Sequence, residues 1–190
     1  LLYYREELRY LNSIMNQAHL DFEDYYKDYC KRNNIDLSTL QEENKERIEQ
    51  ITSEKQESKV KKPLSTSEGK KLLSKIYKSI ALELHPDKLI TSDYTEEEKK
   101  EKEEEFKVAS TAVENNDWGE LLELSEDLHL DVEINDVLLG EIEREITFLK
   151  KKIQNDQATF SWSLHAATTP EEKDRVVKQF LKRMFNLEVS

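Results

Sequence analysis

The chain has 190 residues, 36% of them hydrophobic and 37% charged, with a formal net charge of −12. That length suits one ordinary domain or two small ones. The acidic balance argues against general nucleic-acid binding, and no apolar run reaches membrane-spanning length. The single cysteine, Cys30, cannot close an internal disulfide, which makes a reducing compartment, by default the cytoplasm, the expectation.

So polar a composition suits long helices that bury one narrow stripe. With only three glycines and three prolines, breakers are scarce, and the expected fold class is all-α. The chain opens on Leu1-Leu2-Tyr3-Tyr4 without methionine or a signal-peptide pattern. It is therefore expected to be a processed chain or a piece of a longer one.

The first segment is strongly periodic. Tyr4, Leu8, Leu11, Met15, Ala18, Phe22, Tyr25 and Tyr29 alternate spacings of four and three, a heptad seam. It reads as an amphipathic helix packed within its own chain, or as a coiled-coil dimerisation helix. Lys31-Arg32-Asn33-Asn34 ends it. Ser38 followed by Gln41 has capping-box form and predicts a second helix carrying Leu40, Ile48 and Ile51, fading near Ser53. The polar run from Glu54 to Ser67, with Pro63, reads as a linker or frayed helix end.

A third helix is predicted from Ser67 to Leu84, with Leu72, Leu73, Ile76, Tyr77, Ile80, Ala81 and Leu84 on one apolar face. Lys70, Lys71, Lys75 and Lys78 lie away from it. Pro86 disfavours helical geometry at the residue before it, so His85 is expected at or just beyond the helix end. A loop is expected from Pro86 to about Asp93. Thr95 and Glu96, Glu97 and Glu98 suit a fourth helix start, continued by Phe106, Ala109, Ala112 and Val113. Asn115-Asn116-Asp117 reads as a turn, with Asp117 capping a helix that carries Trp118, Leu121, Leu122, Leu124 and Leu128.

The last third reads as a helical hairpin. Leu138, Ile142, Ile146, Leu149 and Ile153 form one stripe, and Phe160, Trp162 and Leu164 sit in the connection. Thr169-Pro170-Glu171-Glu172 opens a final helix with Val176, Val177, Phe180, Leu181, Met184 and Phe185 on its buried face. Two such stripes pack most simply as an antiparallel pair.

The segment from Lys75 to Lys88, ending Leu84-His85-Pro86-Asp87-Lys88, resembles the second helix and loop of J domains (DnaJ-like co-chaperones). The following stripe of Phe106, Ala109, Ala112 and Val113 is similar to that family's next helix. The resemblance covers about residues 66 to 128. It implies an antiparallel helix pair around a His-Pro-Asp tip, flanked by an N-terminal helical segment and a C-terminal helical hairpin. The expected divisions are 1–62, 63–130 and 131–190.

The resemblance also implies a function. His85, Pro86 and Asp87, with the basic face Lys71, Lys75, Lys78 and Lys88, would engage the ATPase domain of a DnaK-type heat-shock chaperone and promote its ATP hydrolysis. Such a protein performs no bond chemistry itself, so it would be no enzyme and need no cofactor or metal. An exposed carboxylate at Asp87 suits a charge-assisted bond to an arginine, and the lysines suit an acidic groove.

The sequence departs from the family pattern at Glu83, where lysine is frequent, at Leu84, where tyrosine is common, and in lacking the usual first helix. The cysteine-pair zinc module of full-length DnaJ proteins is also absent, which points to a J-domain-only type. A helical adaptor that keeps the fold without stimulating a chaperone is the alternative, with client binding or self-association through the flanking helices. Nucleic-acid and membrane partners are not expected. His19, His85, His129 and His165 are scattered, and Glu126-Asp127-Leu128-His129 is a lone Glu-x-x-His spacing, so an enzyme is disfavoured.

Overall fold

The computed structural model describes residues 1–57, 61–90 and 94–189. Among the described residues every regular element is a helix: α1 (Leu2–Arg32), α2 (Leu37–Glu43), α3 (Lys45–Glu57), α4 (Ser67–Leu84), α5 (Pro86–Ile90), α6 (Glu96–Glu114), α7 (Trp118–Asp127), α8 (Asp136–Gln157), α9 (Phe160–Ala166) and α10 (Pro170–Phe185). None of these is long and apolar enough to cross a membrane. The chain divides into two compact units, Leu1–Arg5 with Lys62–Leu149 and Glu6–Lys61 with Lys150–Ser190.

In the first unit, α4 starts where Thr66 accepts the Gly69 N–H, and α6 starts at a full capping box between Thr95 and Glu98. The apolar face of α4 is buried along Leu73, Ile76, Ile80 and Leu84. It shares one core with Ala109 and Ala112 of α6, Trp118, Leu121 and Leu124 of α7, and Leu138 of α8. Phe106 and Val113 pack against this core while half-exposed. The Tyr77 hydroxyl meets Ser110 Oγ at 3.1 Å, and the His85 ring meets Phe106 edge to face, so α4 and α6 run in opposite directions.

A polar network ties the approach to α4 onto α7 and α8. Trp118 donates its backbone N–H to Glu145 Oε2 at 3.0 Å and its indole N–H to Ser65 Oγ at 2.9 Å. The Thr66 N–H and hydroxyl both donate to Glu141 Oε1. Lys62 lies between Glu145 and Asp117, at 3.4 and 3.9 Å, and Arg5 bonds both Asp117 and Glu120. Two glycines make room for it. A Cβ at Gly69 would fall inside the Glu141 carboxylate, and one at Gly119 inside the Arg5 side chain.

The second unit is built on aromatic rings. Phe22 and Tyr26 of α1, Tyr29 and Cys30 beside them, Leu164 of α9, and Val177, Leu181 and Phe185 of α10 form its core. The Phe180 ring meets Phe22, Tyr26 and Phe160 edge to face at 5.0 to 5.4 Å. Burial pushes the Tyr26 phenol up to about 12 and raises the Cys30 thiol.

The heptad seam of α1 is buried at Leu8, Leu11, Met15, Ala18, Phe22 and Tyr29, so it is used within the chain. Tyr26, not Tyr25, is the buried member of its adjacent pair.

Three local expectations change. Asp36 caps the second helix, accepting the Ser38 N–H at 3.0 Å and the Thr39 hydroxyl at 2.9 Å, because a carboxylate just ahead of Ser38 reaches the free donors first. That helix breaks at Asn44 into α2 and α3, where the Asn44 side chain bonds the Leu40 carbonyl. In the last third, the connection is itself a helix, α9. Leu138 and Ile142 of α8 belong with the first core, whereas α10 packs on α9, α3 and the rings of α1. The expected linker from Glu54 to Ser67 falls partly outside the described residues. α3 extends to Glu57, and 61–66 is non-helical.

Gly119→Ala should cost about 1–2 kcal/mol in urea unfolding, because the overpacked Cβ displaces Arg5 from its carboxylates. Gly140→Ala, with open space around its Cβ, should instead add about 0.5–1 kcal/mol through helix propensity.

Stability should also depend on the ionisation of Asp117. Burial pushes its carboxyl up, but the charges of Lys62 and Arg5 and the Glu120 N–H outweigh this and hold it below its ordinary value. A depressed carboxylate stabilises the fold above its unfolded value and loses that contribution as pH falls through the folded one. Asp117→Asn should therefore cost about 1–3 kcal/mol near neutral pH, the scale of a hydrogen bond to a charged group. The gap to wild type should narrow steadily in unfolding experiments as pH is lowered through the acidic range below the ordinary carboxylate value.

Candidate functional site

The helix α4 ends at Leu84, and His85 has extended backbone geometry (φ −61°, ψ 133°), as expected for a residue preceding proline. The loop expected from Pro86 is instead helical at its start, because Pro86 opens a further turn, α5, through Ile90. Proline suits the first position of a helix because its missing N–H would have no partner there. The His85 carbonyl accepts the Lys88 and Leu89 N–H groups at 2.9 and 3.2 Å, and His85 Nδ1 accepts the Asp87 N–H at 3.3 Å.

His85 thus serves both as the end of α4 and as the cap of α5. While that bond is made, Nδ1 is unprotonated and Nε2–H is the imidazole's remaining donor. Residues 91–93 of the expected loop lie outside the described residues.

Leu89 is a buried residue that the expected loop left without a role, and α5 packs on both α4 and α6. Its signal in the sequence is a large apolar residue within the first turn that Pro86 can open. The tip is therefore a short anchored turn. The His85 and Asp87 side chains remain 54% and 87% exposed, with the Asp87 carboxylate 3.7 Å from His85 Nδ1. The Phe106 ring stands perpendicular to the imidazole at 6.2 Å and backs it from α6.

The placement of the lysines comes from the rotation of α4. With Leu73, Ile76, Ile80 and Leu84 buried, Lys71, Lys75, Lys78 and Leu82 fall on the outward side at spacings of four, three and four, and His85 continues the line. Lys71 and Lys78 are about 10 Å apart along the helix axis. Lys75 lies 3.9 Å from Glu133, and Lys88 is paired with Glu83. Lys71 and Lys78 have no ion pair among the described residues.

Glu126 and His129 do not share a helix face, because α7 ends at Asp127 and His129 takes a left-handed conformation (φ 54°). His19 lies against Ser161 at 2.7 Å and His165 beside Trp162, both in the second unit. Among the described residues no group of three or more His, Cys, Asp or Glu side chains is placed to hold a metal ion.

No family model, curated protein or solved structure matches the chain.

An exposed tip on a buried seam separates surface from core in a testable way. Asp87→Ala should leave stability within about 0.5 kcal/mol of wild type, and His85→Ala, which removes the exposed cap of the short α5 turn, should cost only about 0.5–1 kcal/mol. Leu84→Ala, fully buried one residue away, should cost about 2–5 kcal/mol in the same unfolding experiment.

Proposed function

We propose that this chain is a J-domain co-chaperone that engages a DnaK-type heat-shock chaperone through His85-Pro86-Asp87 and promotes its ATP hydrolysis. The observation that supports this reading is the tip. A His-Pro-Asp triplet with exposed His85 and Asp87 side chains sits at the end of α4, which is packed against an oppositely directed α6.

The proposed role is contact. Asp87 offers a carboxylate to a partner's arginine, the imidazole offers Nε2–H, and Lys71, Lys75, Lys78 and Lys88 orient the encounter with an acidic groove. To accelerate hydrolysis, the tip must bind one state of the partner better than the other, since equal binding shifts nothing. Lys88 is partly neutralised by Glu83, and this observation favours the second reading, a helical adaptor that binds without stimulating turnover.

Single-turnover ATP hydrolysis by a purified DnaK-type chaperone distinguishes the two. Wild-type protein should accelerate it about tenfold, within the usual span of allosteric coupling. His85→Gln and Asp87→Asn should abolish the effect with unchanged circular dichroism. Absence of acceleration by wild type would leave the adaptor reading.

A further inference from the structure

The segment between α7 and α8 runs beside the basic stripe of α4. It is held in place from within its own unit. The Leu130 N–H donates to the Ser125 carbonyl at 2.8 Å, and Leu130 and Val132 pack against the core that buries Ile76 and Ile80. The intervening residues, Asp131 and Glu133, alternate outward and are exposed. Between this strap and α4 lies a narrow cleft of about 70 Å³, lined among others by Leu72, Lys75, Ser79, Asp131 and Glu133. Glu133 Oε2 reaches to 3.9 Å from Lys75 Nζ, with 72% and 73% of the lysine and glutamate side chains exposed.

We propose that Asp131 and Glu133 form a built-in electrostatic brake on partner docking, masking Lys75 and presenting two carboxylates to any acidic groove that approaches the α4 stripe. The proposal rests on the function proposed above and names a control on that site.

Its logic is competition. Lys75 is the middle lysine of the stripe, flanked by Lys71 and Lys78, so neutralising it divides the basic face. A pair this exposed contributes little to stability and is cheaply broken, so a partner carboxylate can displace Glu133. The displaced Glu133 then stays nearby, because Leu130 and Val132 pin the strap, and together with Asp131 it repels the partner. Like charges at an interface rim lower the rate of encounter and do so in a salt-dependent way.

The test is the partner concentration dependence of chaperone ATPase stimulation by the chain of 190 residues. Asp131→Asn with Glu133→Gln should lower the half-maximal concentration roughly three- to tenfold at low salt, on the order expected for rim charges, and converge with wild type at high salt. Glu42→Gln with Glu43→Gln, an equal change of charge on α2, should stay within about twofold of wild type if the effect is local. In a Lys75→Ala background, Glu133→Gln should gain less than in wild type, the signature of a coupled pair.

An unchanged or weakened double variant, an equal gain from the α2 control, or full additivity with Lys75→Ala would each overturn the brake while leaving the co-chaperone reading intact. Failure of wild type and every variant to stimulate would overturn both.

Discussion

The seam between α4 and α6 is the constraint on which the rest of the first unit turns. Ile80 and Leu84 are completely buried in it, facing a fully buried Ala109. A small residue there lets the two helices approach closely, and Ile76 and Phe106 belong to the same cluster. Burying Ile80 and Leu84 determines the rotation of α4 about its axis. Once that rotation is set, Lys71, Lys75 and Lys78 face outward without any interaction of their own to place them. The last buried residue, Leu84, also decides where the chain leaves the helix, and so where His85 and Asp87 are presented.

At the tip, a single breaker is structural at both ends. Pro86 stops α4 through its restriction of His85, yet it starts α5 because a helix's first position does not need its N–H. His85 bonds back to the Asp87 N–H, Phe106 backs its ring, and Leu89 anchors the turn. The His85 and Asp87 side chains are held at a defined place while remaining in water.

Charge is distributed unevenly. The first unit, with the glutamates of α6 and the acidic residues from Asp117 to Asp136, carries nearly all of the chain's negative balance. Within it, buried and exposed charges act differently. The Arg5, Lys62, Asp117 and Glu145 cluster is partly withdrawn from water, and its members depend on one another. Burial raises the Glu145 carboxyl despite the nearby lysine, whereas Asp117 beside it is held low. The exposed pairs, Lys75 with Glu133 and Lys88 with Glu83, are weak and exchangeable. The first kind maintains the structure, and the second leaves the surface around the tip adjustable.

Much of this was legible in the sequence, because helix periodicity and capping are local. The bounds of α4, the helix start at Thr95, the Thr169 capping box, the Asp117 cap and the apolar faces of α4, α6 and α10 all depend on residues within a turn or two of each other. The place of His85 at the end of α4 and of the lysines away from its apolar face could be read for the same reason, whereas their choice as a site came from the resemblance to J domains. Which stripe meets which is a different matter, since an apolar face specifies only that it will be covered. Only the tertiary structure assigned Leu138 to the α4 core and α10 to the rings of α1, buried Leu89, and drew Glu133 beside Lys75. Most of these pairings join residues tens of positions apart, and they are chosen by how whole helices fit together, not by any residue's own preference.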